Sequence, residues 1–247
     1  MHSNELLSAL DNFFQSDKIK DYAPNGLQIE GKKEIRRILT AVSASQAAIE
    51  AAIDYQADAL FVHHGYFWKG EAAQLTGIKY QRIKALLAHD INLIAYHLPL
   101  DLHPQVGNNA LFGQALSVQN IRQSEQEKLL WHGDIAAQSA EELQARISRV
   151  LRRPAQMVGS IDAPIRRIAW CTGAAQDYLA LAAQEGAQAF LSGEYAERTF
   201  HEAHEWHIGY FSCGHHATER FGVEAMAEHF RLDYALESRF FDEDNPF

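Results

Sequence analysis

Two segments of the chain end an apolar run on an imidazole and place a carboxylate four residues later: INLIAYHLPLD gives His97 and Asp101, and GYFSCGHHATE gives His215 and Glu219. A third apolar run, ADALFVHH, ends on the adjacent pair His63 and His64. Imidazole nitrogens mixed with carboxylate oxygens suit zinc, iron, manganese or nickel better than calcium, which takes oxygen donors. Six such donors exceed what one tetrahedral zinc uses. Two divalent transition-metal ions with a shared carboxylate and a bridging water would use them, and a water held in that way ionises near neutral pH and becomes a nucleophile. The chemistry this implies is metal-dependent hydrolysis.

Each residue alone has an ordinary explanation. A histidine at a strand end bonds backbone, Asp101 before Pro104 suits a turn or a helix cap, and Glu219 suits the first turn of a helix. Needing all of these at once, in repeated positions, is the less economical reading. One geometric condition applies to His63 and His64: neighbours on a regular strand point to opposite faces. They serve one site only if the strand has ended, and Gly65 permits an irregular turn there.

The remaining histidines carry less. His103 either lines the site or lies in a surface loop. His216 faces away or caps the next helix, His201, His204 and His207 have helical or strand spacing, and His2, His89, His132 and His229 read as solvent-facing. The segment Gly65-Tyr66-Phe67-Trp68-Lys69-Gly70 forms either a stacking wall for a planar ring or filler under a long loop. No phosphate-binding or dinucleotide-binding glycine motif occurs, and Ser192-Gly193-Glu194 lacks the nucleophile-elbow pattern.

The elements that must position these residues alternate between two periods. RRILTAV (36–42), ADALFVHH (57–64) and INLIAYH (91–97) read as strands, separated by helical segments at 43–56 and 78–90 and followed by one at 107–117. This is βαβαβα patterning and predicts a parallel sheet covered by helices. The stretch 118–134 is more polar and gives no clear element. A helix over 140–151 begins with Ser139 and Glu142 in capping-box spacing and stops before Pro154. Strands at 166–172, 187–193 and 206–214 then alternate with helices at 174–186, 195–205 and 216–230, and a last strand is expected near 232–238.

The second series repeats the first. Residues 35–65 align without gaps on 165–195, with IRRI shared at the start of both. The third strands align at a different offset, the second half being shorter there. Two α/β halves are therefore expected, at 1–125 and 126–247, with the C-terminal segment free to return to the first half.

The chain has 247 residues, 47% hydrophobic and 22% charged, an ordinary globular composition. The net charge of -10 gives no strong nucleic-acid signal. The short basic clusters at Lys32-Lys33, Arg36-Arg37, Arg152-Arg153 and Arg166-Arg167 flank element ends. No apolar run reaches the length of a membrane span, and two cysteines cannot build a disulfide framework; a cytoplasmic protein is the expectation.

The segments DYAPNGLQIEG (21–31), ALFVHHGYFWKG (59–70), INLIAYHLPLDLHPQVGNNA (91–110), RRIAWCTGAAQ (166–176) and CGHHATERFG (213–222) resemble the NIF-three-like family of the YbgI type, whose members are often labelled GTP cyclohydrolase 1 type 2 homolog. The resemblance runs nearly end to end and is weakest over 118–160. It implies duplicated three-layer α/β units related by pseudo-two-fold symmetry, a dinuclear metal centre and a homohexamer arranged as a ring, a trimer of dimers. The residues it implies as metal ligands are His63, His64, Asp101, His215 and Glu219, with Glu219 touching both ions. His97 and Glu219 are the candidates for catalytic roles, His97 as a further ligand or a proton shuttle. The substrate expected is a small heterocyclic or nucleotide-like molecule, with GTP ring opening the activity the label suggests. The competing expectation is a metal-binding ring protein without catalysis, a metallochaperone or regulatory interaction protein.

Overall fold

A computed structural model describes residues 1–161 and 164–247. In chain order the elements are α1 (Ser3–Phe14), β1 (Gly26–Ile29), β2 (Arg37–Ser43), α2 (Gln46–Asp54), β3 (Ala59–His64), α3 (Gly77–Ala88), β4 (Asn92–Ala95) and α4 (Leu98–Leu102). Then come α5 (Asn108–Ala115), β5 (Gln119–Gln123), β6 (Trp131–Gln138), α6 (Ala140–Leu151), β7 (Gln156–Val158), β8 (Ile165–Cys171), α7 (Leu179–Gln184), β9 (Ala189–Ser192), α8 (Glu197–Glu205), β10 (Gly209–Ser212), α9 (His215–Asp233) and β11 (Glu237–Phe240). The chain divides into two compact units. The first comprises Met1–Val106 and Arg220–Asp244, the second Gly107–Glu219 and Asn245–Phe247. Helix α9 therefore begins in the second unit and continues in the first.

In the first unit the sheet order is β1-β4-β3-β2-β11. Strand β2 shows how the sequence builds three layers. Its alternate residues Leu39 and Ala41 face Ala48, Ile49 and Ala52 of α2 and Ile83 and Leu86 of α3. Ile38 and Val42 face Leu6, Leu10 and Phe14 of α1 and Val223, Met226 and Phe230 of α9. Burial on both faces explains the continuous apolar runs of β2, β3 and β4. In the second unit the order is β5-β6-β8-β9-β10-β7. Phe190 and Tyr210 pack with Leu179 and Ala182 of α7 and Ala203 of α8. Helix α6 has the expected limits, and Ser139 and Glu142 make the reciprocal capping bonds.

Two sequence expectations need correction, and one stretch left open is filled. Both sheets are mixed, not parallel: β1 runs antiparallel to β4, β7 to β10, and β6 to both β5 and β8. The stretch 118–134 holds β5 and the start of β6. Strand β5 has no buried residue and so no hydrophobic period to read. Finally, α9 extends to Asp233, the chain reverses at Ala235 (φ 52°), and the last strand starts only at Glu237.

The internal repeat persists at the level of hydrogen bonds. Asp58 Oδ2 accepts the Arg36 and Arg37 amides, and Gln188 Oε1 accepts those of Arg166 and Arg167. The strand register corrects the alignment of the third strands by one residue. Asn92 lies opposite Ala59 as Gly209 lies opposite Ala189, so His97 is level with Gly214 and not with His215. His97 precedes α4, whereas His215 is the first residue of α9. The two carboxylates, Asp101 and Glu219, are accordingly not equivalent positions of the repeat.

Candidate metal centre

The first unit brings four of the singled-out residues together. His63 and His64 close β3, His97 caps the turn into α4, and Asp101 lies in that helix. His63, His97 and Asp101 are buried and His64 is half-buried. The His63 and His64 rings are 4.5 Å apart, and His97 lies 5.0 Å from His63 and 5.8 Å from His64, centre to centre. One ligand nitrogen from each of the three falls within 4.8 Å of the others. His63 Nε2 is 3.6 Å from Asp101 Oδ1. His64 is still paired to Ser43 in the strand. The strand therefore has not ended at His64, and the two rings approach each other without the irregular turn expected at Gly65; a Cβ at Gly65 would come 2.1 Å from Gln28 Oε1, which accepts the Tyr66 amide.

In the second unit Gly214 (φ 93°) turns the chain from β10 into α9. His215 and Glu219 are one helical turn apart, with Nε2 3.1 Å from Oε2. Glu194, just past β9, bonds His215 Nδ1 at 2.6 Å. Gly173 (φ 69°) closes the other side, where a Cβ would lie 2.2 Å from Glu219 Oε1 and 3.4 Å from His215 Nε2. Burial opposes charge on His215, but Glu219 and Glu194 outweigh it and raise its pKa to about 9. The carboxylates that favour a proton there would equally favour a metal cation in its stead.

All four imidazoles have Nδ1 engaged. The partners are Tyr96 O for His63 (3.2 Å), Ser43 Oγ for His64 (3.1 Å), Asp21 Oδ1 for His97 (2.9 Å) and Glu194 Oε1 for His215. Metal-bound histidines characteristically tie their second nitrogen to a carbonyl, hydroxyl or carboxylate, which orients Nε2 for coordination. The donor chemistry and this outer ring of partners fit divalent transition metals.

Sequence reading missed Asp21, Ser43 and Glu194. They lie far from their histidines in sequence, and only Asp21 stands in a distinctive motif. Burial raises the Asp21 pKa, but hydrogen bonding and charge from His97, with Asn25 and the Leu98 amide, bring it down to about 2. A depressed carboxylate pKa stabilises the fold above its ordinary value near 3.8 and loses that contribution as pH falls toward 2. The expected contribution is roughly 2 kcal/mol. Denaturant unfolding between pH 5 and about 2 should therefore show a flatter acid limb in Asp21→Ala than in the parent; parallel limbs would refute this.

Other histidines are placed differently from expectation. His132 is buried and pairs with Glu185 at 2.6 Å, and His229 pairs with Asp233, so neither is solvent-facing. Phe13 stacks on both His103 and His229. His216 is buried, and its amide bonds Phe247 O. Burial pushes the Cys213 thiol well above its ordinary value, so it is no nucleophile at neutral pH.

Mixed α/β units carrying histidine–carboxylate clusters at strand ends define a two-unit α/β protein with candidate metal donors. The family model of Duf34/NIF3 (NGG1p interacting factor 3) matches residues 1–246, and the chain belongs to that family. It is 46% identical to the GTP cyclohydrolase 1 type 2 homolog of Yersinia pestis, over 100% of both chains. It is also 46% identical, over 100% of both, to the protein of that name from Haemophilus influenzae. The solved structure of protein ybgI, described as of unknown function, superposes with a TM-score of 0.97 at 42% identity over 100% of both chains. TTHA1606 from Thermus thermophilus gives 0.90 at 29% identity, also over 100% of both. Among the described residues no helix is long and apolar enough to cross a membrane.

Proposed function

We propose that the chain binds two divalent transition-metal ions, with His63, His64, Asp101, His215 and Glu219 as ligands, and that it hydrolyses a small planar heterocyclic or nucleotide-like molecule. The observation that carries the reading is the engagement of Nδ1 in all four imidazoles. Bound ions of this class supply Lewis acidity and a water acidified to near neutral pH. His97 stands beside the His63–His64 pair to accept or return a proton.

Two aromatic side chains favour a planar substrate. Tyr22 (54% exposed) and Trp68 meet the His97 ring edge-on, at 4.9 and 5.0 Å between centres. Tyr22 and Trp68 lie 5.7 Å apart, and Tyr22 O accepts the Lys69 amide, which ties the two loops together. Ring stacking on such side chains is worth about 1–3 kcal/mol per base. The relatives' name, GTP cyclohydrolase 1 type 2 homolog, makes guanine nucleotides the first compounds to try.

The test is a turnover screen of metal-reconstituted protein against nucleotides and free heterocycles, read by absorbance and mass. Activity is expected in the parent and absent from metal-free protein and from Glu219→Ala. Trp68→Ala and Tyr22→Ala should raise KM by about tenfold with smaller changes in kcat. Turnover by metal-free protein would contradict the hydrolytic centre, and an unchanged KM in both aromatic variants would remove the planar-substrate argument.

A further inference from the structure

Asp21 belongs to none of the donor sets, yet both of its carboxylate oxygens are engaged beside His97. Its side chain is 3% exposed. Oδ1 accepts the amides of Tyr22 (2.7 Å) and Ala23 (3.1 Å) and faces His97 Nδ1 at 2.9 Å. Oδ2 accepts from Asn25 Nδ2 (3.1 Å) and the Leu98 amide (2.9 Å). The backbone amides among these partners can only donate, so the carboxylate acts as an acceptor on both oxygens. Asn25 is itself oriented, because its Oδ1 accepts the His97 amide at 2.8 Å. The loop of residues 21–25 thus grips His97 through both its backbone and its ring.

We infer that Asp21 is a positioning residue that holds His97 in the tautomer protonated at Nδ1, so that Nε2 is the lone-pair nitrogen beside His63 and His64. The hydrogen between Asp21 and His97 must sit on Nδ1, since the carboxylate supplies none. The partner of His64 imposes no such choice, because the Ser43 hydroxyl either donates or accepts. A carboxylate behind an imidazole also makes its far nitrogen a better acceptor. This deepens the proposed function, in that a lone pair at Nε2 lets His97 accept a hydrogen from a group bound at the centre.

The experiment is nitrogen-15 imidazole NMR on the metal-free full chain near neutral pH, with His97 signals assigned by loss in His97→Gln. The parent is expected to show His97 protonated at Nδ1 and bare at Nε2. Asp21→Ala should shift His97 toward the Nε2-protonated form that unaided imidazole favours. His97 protonated at Nε2 in the parent overturns the inference whether or not the variant folds. An unchanged His97 pattern in folded Asp21→Ala overturns it as well. Because the measurement needs neither metal nor substrate, a confirmed tautomer alongside a failed turnover screen would sink the proposed function alone.

Discussion

Gly173→Ala is expected to cost the proposed centre its metal as completely as Glu219→Ala. The added Cβ would sit 2.2 Å from Glu219 Oε1, and the φ of 69° is one that alanine resists. The backbone cannot retreat. Gly173 N donates to Thr218 Oγ1, and Gly173 O accepts from the Gly193 amide and from Ser192 Oγ. Glu219 must therefore leave its place beside His215. The left-handed conformation alone costs about 1–2 kcal/mol, which lowers Tm by several degrees in a chain of this size. Gly186→Ala separates the two effects. It has a similar φ of 83°, but its Cβ would meet nothing closer than Arg167 Nη1 at 3.6 Å. Both variants should lose stability, measured by thermal unfolding, and only Gly173→Ala should lose metal, measured by elemental analysis. Equal metal retention in both would mean that Glu219 is not held where Gly173 requires it.

Trp170→Ala should be the most destabilising single change in the second unit, by about 3–5 kcal/mol. The ring is fully buried on β8, and its Nε1 donates to Asn109 O at 2.9 Å. It packs so closely on α5 that a Cβ on Gly113 would come 2.5 Å from Trp170 Cζ2. Removing it leaves a cavity and costs the Nε1 bond to Asn109. Asn109 also accepts the Thr172 amide through Oδ1, so the same anchor holds the chain leading into Gly173. Urea unfolding of the purified variant would read the loss, and a change below about 1 kcal/mol would show that the site collapses around the missing ring.

The sequence carried most of the α/β order because β2, β3, β4 and their counterparts are buried on both faces and read as unbroken apolar runs. It could not carry the antiparallel strands. Gly26–Ile29 and Gln156–Val158 are three or four residues long, and Gln119–Gln123 buries nothing. The histidines were legible because imidazoles are conspicuous at the ends of such runs. Their register was not, since only strand pairing shows that one extra residue, Gly214, precedes His215. The partners of Nδ1 were least legible. Asp21 reaches His97 and Glu194 reaches His215 through folding alone, and no local pattern announces either contact.

Metal content per chain tests the central claim most directly. Protein purified without a histidine tag and reconstituted with iron, manganese or zinc should bind close to two ions per chain by elemental analysis, and His64→Ala and Glu219→Ala should each lose them while remaining folded. An absence of stoichiometric metal after reconstitution, or full metal content in both variants, would contradict the account.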